Sequence, residues 1–301
     1  MFSHVLVGVD ERPGGRDAIA LAKDLLAKDG ELTLAHVHIG EAKPTRGASP
    51  AFEAAEQERS RQLLEAARAE AGVDAQFASV GRPSVGRGLH ELAERRGADL
   101  LVVGSTSRSL IGRVLIGDDT RNALNGAPCA VAVAPAGYSE RTLHWREIGV
   151  GYDGSPESEH ALAVAREFAS EVGASVSAFE AVSLPFDGRG AGEAIPQLVD
   201  DARERIAALG DVEPHAAYGA AAEELALYGA SVDLLIVGSR GYGPIGRLVH
   251  GSTSQRLAHI ARCPLLVLTR AVDSSGDPDN AEAERETAAA APDLTTAKEA
   301  K

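Results

Sequence analysis

The chain has 301 residues, 44% hydrophobic and 25% charged, which is an ordinary globular composition with room for two cores. No apolar run approaches the ~18 residues needed to cross a bilayer, and two cysteines are too few for a disulfide framework. The formal net charge of -14 argues against nucleic acid or an anionic membrane as a partner. The N-terminus lacks a basic region and a small-residue cleavage site, so no signal peptide is expected and a cytoplasmic location follows.

In chain order, the first copy of an internal repeat alternates β-branched runs with helical periodicity. Strands are expected over 4–9, 31–38, 73–80, 99–104 and 129–134, with helices over 14–29, 51–71, 84–97 and 117–126. The 51–71 helix keeps its apolar residues on one face and sets Glu53, Glu56, Arg59, Arg61 and Glu65 largely outside. His36 and His38 share a face of the second strand, but no third ligand lies nearby in sequence, so a core or edge role is favoured over a metal. Residues 135–145, with Pro135, Gly137 and the only Trp, read as a linker.

The second copy then follows, with strands over 147–152, 174–182, 212–218, 233–238 and 264–269. Val7-Gly8-Val9-Asp10 returns as Val150-Gly151-Tyr152-Asp153, and Asp99-Leu100-Leu101-Val102-Val103-Gly104-Ser105 returns as Asp233-Leu234-Leu235-Ile236-Val237-Gly238-Ser239. Ile111-Gly112-Arg113 returns as Ile245-Gly246-Arg247, and Cys129 as Cys263. Ordered matches over more than a hundred residues indicate a tandem duplication. The alternation implies right-handed crossovers, hence two tandem α/β domains, each a doubly wound five-stranded parallel sheet of order 3-2-1-4-5. The domains are expected at 1–135 and 146–270, separated by a linker at 136–145. The tail 271–301 carries eight Asp/Glu, three Lys/Arg and no aromatic residue, and is expected to be disordered.

The stretch from Gly238 to Ser254 starts where an apolar strand ends and finishes where a helix begins. Glycine lets backbone approach an anion, and a helix N-terminus offers free N–H groups and a favourable dipole. Ser252, Thr253 and Ser254 can add donors, and Arg240 and Arg247 bring positive charge to an acidic chain. A simple helix cap by Ser252 or Thr253 is the competing reading. Asp153 ends the neighbouring strand, where its carboxylate can accept from a ribose hydroxyl, a base amine or the helix that starts near Pro156.

The spacing Gly238, two residues, Gly241, nine residues, Gly251-Ser252 resembles the signature of ATP-binding universal stress proteins. The starts at 150–155 and endings at 263–268 are also similar to that family, and the resemblance covers 2–135 and 146–270. It implies ATP in the C-terminal copy, with Asp153 at the adenosine end, Gly238, Gly241, Gly251 and Ser252 on the triphosphate, and Mg²⁺ as its companion. It further implies an intrachain pseudo-dimer through the fifth strands, association of two chains into a homodimer, and a regulatory or stress-resistance role. A nucleotide-hydrolysing or ATP-dependent enzyme of the same superfamily, and a dimerisation module with vestigial sites, remain the alternatives; no catalytic residue is assigned. The first copy carries Ser107 and Asp118 where the second has Gly241 and Ser252, so its phosphate site is expected to be degenerate. The second copy has Gly219-Ala220-Ala221 in place of Gly81-Arg82-Pro83, and its third helix should be shorter.

Overall fold

A computed structural model describes residues 1–38, 50–105, 123–141, 144–183, 191–239 and 252–269. In the first copy, β1 (Phe2–Gly8), β2 (Leu26–His38), β3 (Gln76–Gly81), β4 (Leu100–Gly104) and β5 (Ala130–Ala134) alternate with α1 (Gly14–Leu25), α2 (Pro50–Ala71) and α3 (Val85–Arg96). In the second, β6 (Glu147–Gly151), β7 (Ser175–Val182), β8 (Glu213–Tyr218), β9 (Leu234–Gly238) and β10 (Leu265–Leu268) alternate with α4 (Pro156–Val172), α5 (Ala191–Ala207), α6 (Ala221–Tyr228) and α7 (Ser252–Ile260).

The strand order is β3-β2-β1-β4-β5-β10-β9-β6-β7-β8. Each half therefore has the expected 3-2-1-4-5 order, but the two halves form one ten-stranded sheet. The seam is antiparallel, with Leu265 opposite Val133, Leu266 opposite Ala132 and Val267 opposite Val131. The strands at and beside it are apolar on both faces and buried up to the terminal Gly104 and Gly238, as central strands covered by helices should be. This register sets Cys129 and Cys263 at opposite ends of the seam. Both are free and buried, and burial pushes each thiol up to about 12, so they are unreactive packing groups.

One expectation needs correction. The 14–29 helix stops at Leu25, because its buried residues Ala18, Ile19, Leu21, Ala22 and Leu25 end there. Leu26 is already extended (ψ 134°), and the ladder with β1 is irregular until Glu31 pairs with His4. The third helix of the second copy is shorter, as expected: eight residues against twelve. Helix 117–126 lies mostly outside the described residues, as does the whole 271–301 tail.

The inter-repeat segment is docked on the fold. Tyr138 is 2% exposed and donates its hydroxyl to Asp24 at 2.7 Å. The buried Asp17 of α1 accepts from the backbone N–H of Gly137 (2.9 Å) and Ser139 (2.8 Å) and from the Ser139 hydroxyl (2.8 Å). Three donors offset the cost of burying that carboxylate. Trp145 packs edge-on against Phe168, with ring centroids 5.4 Å apart.

Candidate functional site

β6 and β9 are parallel neighbours, with Val150 level with Ile236. Their C-terminal ends therefore open one crevice, at the point where the strand order reverses. Its walls include Asp153, Gly238, Thr253 and Ser254, with Phe179 and Leu225 beneath. Four of the predicted residues thus come together from three separate stretches of chain. Ser252 begins α7, so the predicted helix N-terminus is in place. Arg240, Gly241, Arg247 and Gly251 lie outside the described residues, as do Ser107 and Asp118 of the first copy.

Asp153 is held rigidly. Its Oδ1 accepts from the Ser155 N–H at 3.1 Å and from the Ser155 hydroxyl at 2.5 Å. Ser155, not Asp153, caps α4: its Oγ accepts from the Ser158 N–H at 3.3 Å, and Pro156 occupies the first turn. Asp153 thus positions the cap, while its carboxylate remains on the crevice wall. The charged residues lining the crevice, among those described, are both acidic, Asp153 and Glu157. The Tyr152 hydroxyl is pushed up by burial, then by the nearby carboxylates of Glu159, Glu180 and Asp153.

Gly238 has a packing reason of its own. A Cβ there would lie 2.6 Å from the Glu157 carbonyl oxygen at the start of α4. Gly104 occupies the same place in the first copy, where a Cβ would lie 2.0 Å from the Gly14 carbonyl oxygen of α1. Both repeats need glycine here so that the helix after the first strand can sit against the end of the fourth.

The equivalent crevice of the first copy is far larger, about 700 Å³ against about 90 Å³. Sheet register supplies one contribution. Gly8 pairs with Ala35 in the first copy, and Gly151 pairs with Phe179 in the second. The Phe179 ring, stacked on Tyr228 at 4.9 Å between centroids, fills space that Ala35 leaves open. His36 and His38 line this larger crevice together with Asp10, Phe52 and Glu56. Neither the volume nor the role of Phe179 could be read from the sequence, because the offset between the repeats shifts by one residue before the second strand. No group of three or more metal-ligating residues occurs among the described residues, and no described helix is long and apolar enough to cross a membrane.

Comparison with known proteins agrees with this architecture. The chain is 31% identical over 186 residues to a universal stress protein of Mycobacterium tuberculosis, covering 56% of this chain and 61% of that protein. It is 27% identical over 288 residues to a universal stress protein of Mycolicibacterium smegmatis, covering 88% of this chain and 96% of the relative. The crystal structure of a universal stress protein from Archaeoglobus fulgidus superposes over 89% of this chain and 98% of its own, with a TM-score of 0.64 at 19% identity, a likeness of fold. The model of the universal stress protein family matches residues 1–135 and again 144–269, and with two such domains in one α/β sheet the chain belongs to that family as a tandem member.

Proposed function

We propose that this chain is an ATP-binding universal stress protein with a regulatory or stress-resistance role, and that the nucleotide occupies the crevice between β6 and β9. The observation that carries this reading is the convergence of Asp153, Gly238, Thr253 and Ser254 on one crevice at the N-terminus of α7. Asp153 would accept from a ribose hydroxyl or the adenine amine. Gly238, Gly241, Gly251 and Ser252 would surround the triphosphate with backbone N–H groups and a hydroxyl, helped by the helix dipole. Arg240, Arg247 and a bridging Mg²⁺ would offset the electronegative wall. The open volume of about 90 Å³ is smaller than typical ligand pockets of roughly 300–1,000 Å³, so binding requires Phe179 and Leu225 to give way.

Calorimetry tests the site. The wild type should bind one ATP per chain, and Gly251→Asp combined with Ser252→Ala should abolish binding by steric block and loss of donors. Unchanged affinity in that variant, or two equivalent sites in the wild type, would overturn the assignment. Steady-state turnover separates this reading from an enzyme: a rate above about one per second, ordinary for catalysis, would sink the regulatory role.

A further inference from the structure

We infer that the first copy carries a phosphate site at the opposite ends of β1 and β2 from its crevice, independent of the ATP reading. A cavity of about 170 Å³ lies there, at the N-terminal ends of β1 and β3 and beside Glu31 and Thr33 of β2, under the last turn of α3. That is room for an ion of a few heavy atoms, below the roughly 300–1,000 Å³ of a drug-sized ligand's pocket. Register sets its polar groups on one face of the sheet. His4 pairs with Glu31, Leu6 with Thr33 and Thr33 with Gln76, so these side chains run across three strands on the side that α3 covers.

Helix α3 supplies the charge. Arg96 donates from Nη1 to Gln76 Oε1 at 2.8 Å and from Nη2 to the Phe77 carbonyl oxygen at 3.0 Å. Both acceptors are neutral, so its charge is not offset by them. Gln76 accepts through oxygen in that bond, which leaves its amide nitrogen as a further donor. Arg95 faces Glu91 at 3.6 Å, but that carboxylate already receives Arg82 through two bonds of 2.6 Å. Two guanidiniums against one carboxylate leave positive charge in excess. On the acidic side, Glu31 faces His4 Nδ1 at 3.8 Å. Asp99, next after Ala98, turns its carboxylate to the backbone N–H groups of Ser3 (2.8 Å) and His4 (3.0 Å). The described lining thus sets Arg95, Arg96 and His4 against the single carboxylate of Glu31, in a chain whose net charge is -14. Donors from both helix and sheet suit a tetrahedral oxyanion, whereas a planar carboxylate is satisfied by one guanidinium fork.

The fold does not ask for this arrangement. In the second copy the register places Glu147, Ser175, Ser177 and Glu213 where the first has His4, Glu31, Thr33 and Gln76. The gapless offset to Asp233 puts Gly229 and Ala230 in place of Arg95 and Arg96. Tyr228 fills the space there. It is 8% exposed, its hydroxyl lies 2.5 Å from that of Ser177, and a Cβ on Gly149 would meet its ring at 2.9 Å. The same place is plugged and acidic in one repeat, open and cationic in the other.

The test titrates the full chain with inorganic phosphate and, separately, with glycerol 1-phosphate at constant ionic strength. The readout is ¹H–¹⁵N NMR of the Gln76 side-chain amide and the Nε–H groups of Arg95 and Arg96, all of which should shift saturably. Tighter saturation by the free ion assigns inorganic phosphate, and tighter saturation by the ester assigns a small phosphorylated molecule. Gln76→Glu, the residue the second copy carries, keeps an acceptor for Arg96 but removes the amide donor and adds a negative charge. It should weaken phosphate roughly tenfold in a protein that still folds. Arg95→Gln removes a guanidinium whose one described ion pair is with a carboxylate that Arg82 already holds, and should weaken it by a similar factor. Gly251→Asp with Ser252→Ala should leave the midpoint unchanged, which separates this site from the ATP site. Shifts that climb linearly with phosphate, equal shifts from acetate, or an unchanged midpoint in folded Gln76→Glu and Arg95→Gln proteins would each overturn the proposal.

Discussion

Replacing Gly238 by alanine sets a methyl carbon 2.6 Å from the Glu157 carbonyl oxygen and 2.8 Å from that residue's carbonyl carbon and Cβ. An ordinary van der Waals contact begins near 3.4 Å, so the first turn of α4 must retreat by roughly 0.8 Å or β9 must bend. Neither moves easily. Leu234, Leu235 and Ile236 are 0% exposed, and the start of α4 is tied down by the Ser155 cap. Gly238 does not adopt a positive φ, so the cost is steric alone. Overpacking of this kind costs about 1–3 kcal/mol. Taking about 2 kcal/mol, and 2–4 °C per kcal/mol for a body of this size, the melting point should fall by roughly 4–8 °C. The measurement is thermal denaturation of nucleotide-free protein. Gly104→Ala should do at least as much damage, because its methyl would lie 2.0 Å from the Gly14 carbonyl oxygen and 2.5 Å from the carbonyl carbon. If nucleotide-free Gly238→Ala melts within about 1 °C of the wild type while its ATP affinity is lost, the glycine serves the ligand and the packing argument is wrong.

Phe179→Ala should open the second crevice toward the size of the first. It should cost about 3 kcal/mol, the low end for a buried phenylalanine, because the space created opens to solvent. It should also tighten ATP binding by removing the displacement step; weaker binding would instead make Phe179 a stacking partner of the base. Tyr138→Phe removes the hydroxyl bonded to Asp24 and should cost about 1.5–3 kcal/mol at neutral pH, read by urea denaturation. Burial holds the Asp24 carboxyl above its ordinary value despite that bond, so this group favours the fold at acid pH and disfavours it as pH rises through the folded value. Losing the Tyr138 donor raises the carboxyl further. The penalty of the substitution should therefore shrink as pH falls through the folded carboxyl values of the variant and then of the wild type, both of which lie above the ordinary value; a penalty that grows on acidification would refute the sign.

Much of the fold was legible in the sequence because its causes are local. The apolar runs at 100–103 and 234–237 have no polar alternation, which only a strand buried on both faces explains, and both are central. The repeat doubled each such inference. It also placed Asp153 beside Gly238, because strand order follows from the crossover rule. Other features depended on partners remote in sequence. Helix α1 ends where its buried face ends, at Leu25, although helical periodicity appeared to run on toward residue 29. The linker is packed because Asp17 and Asp24 on α1 meet the Gly137–Ser139 turn more than a hundred positions away. Above all, the two crevices share a backbone plan and differ in the side chains that line it, Ala35 against Phe179 among them, an equivalence that appears only in the register of β1 with β2 and of β6 with β7. Motif spacing reports where the chain turns toward a ligand. How much room it finds there is set by residues on neighbouring strands, and only tertiary packing brings those into contact.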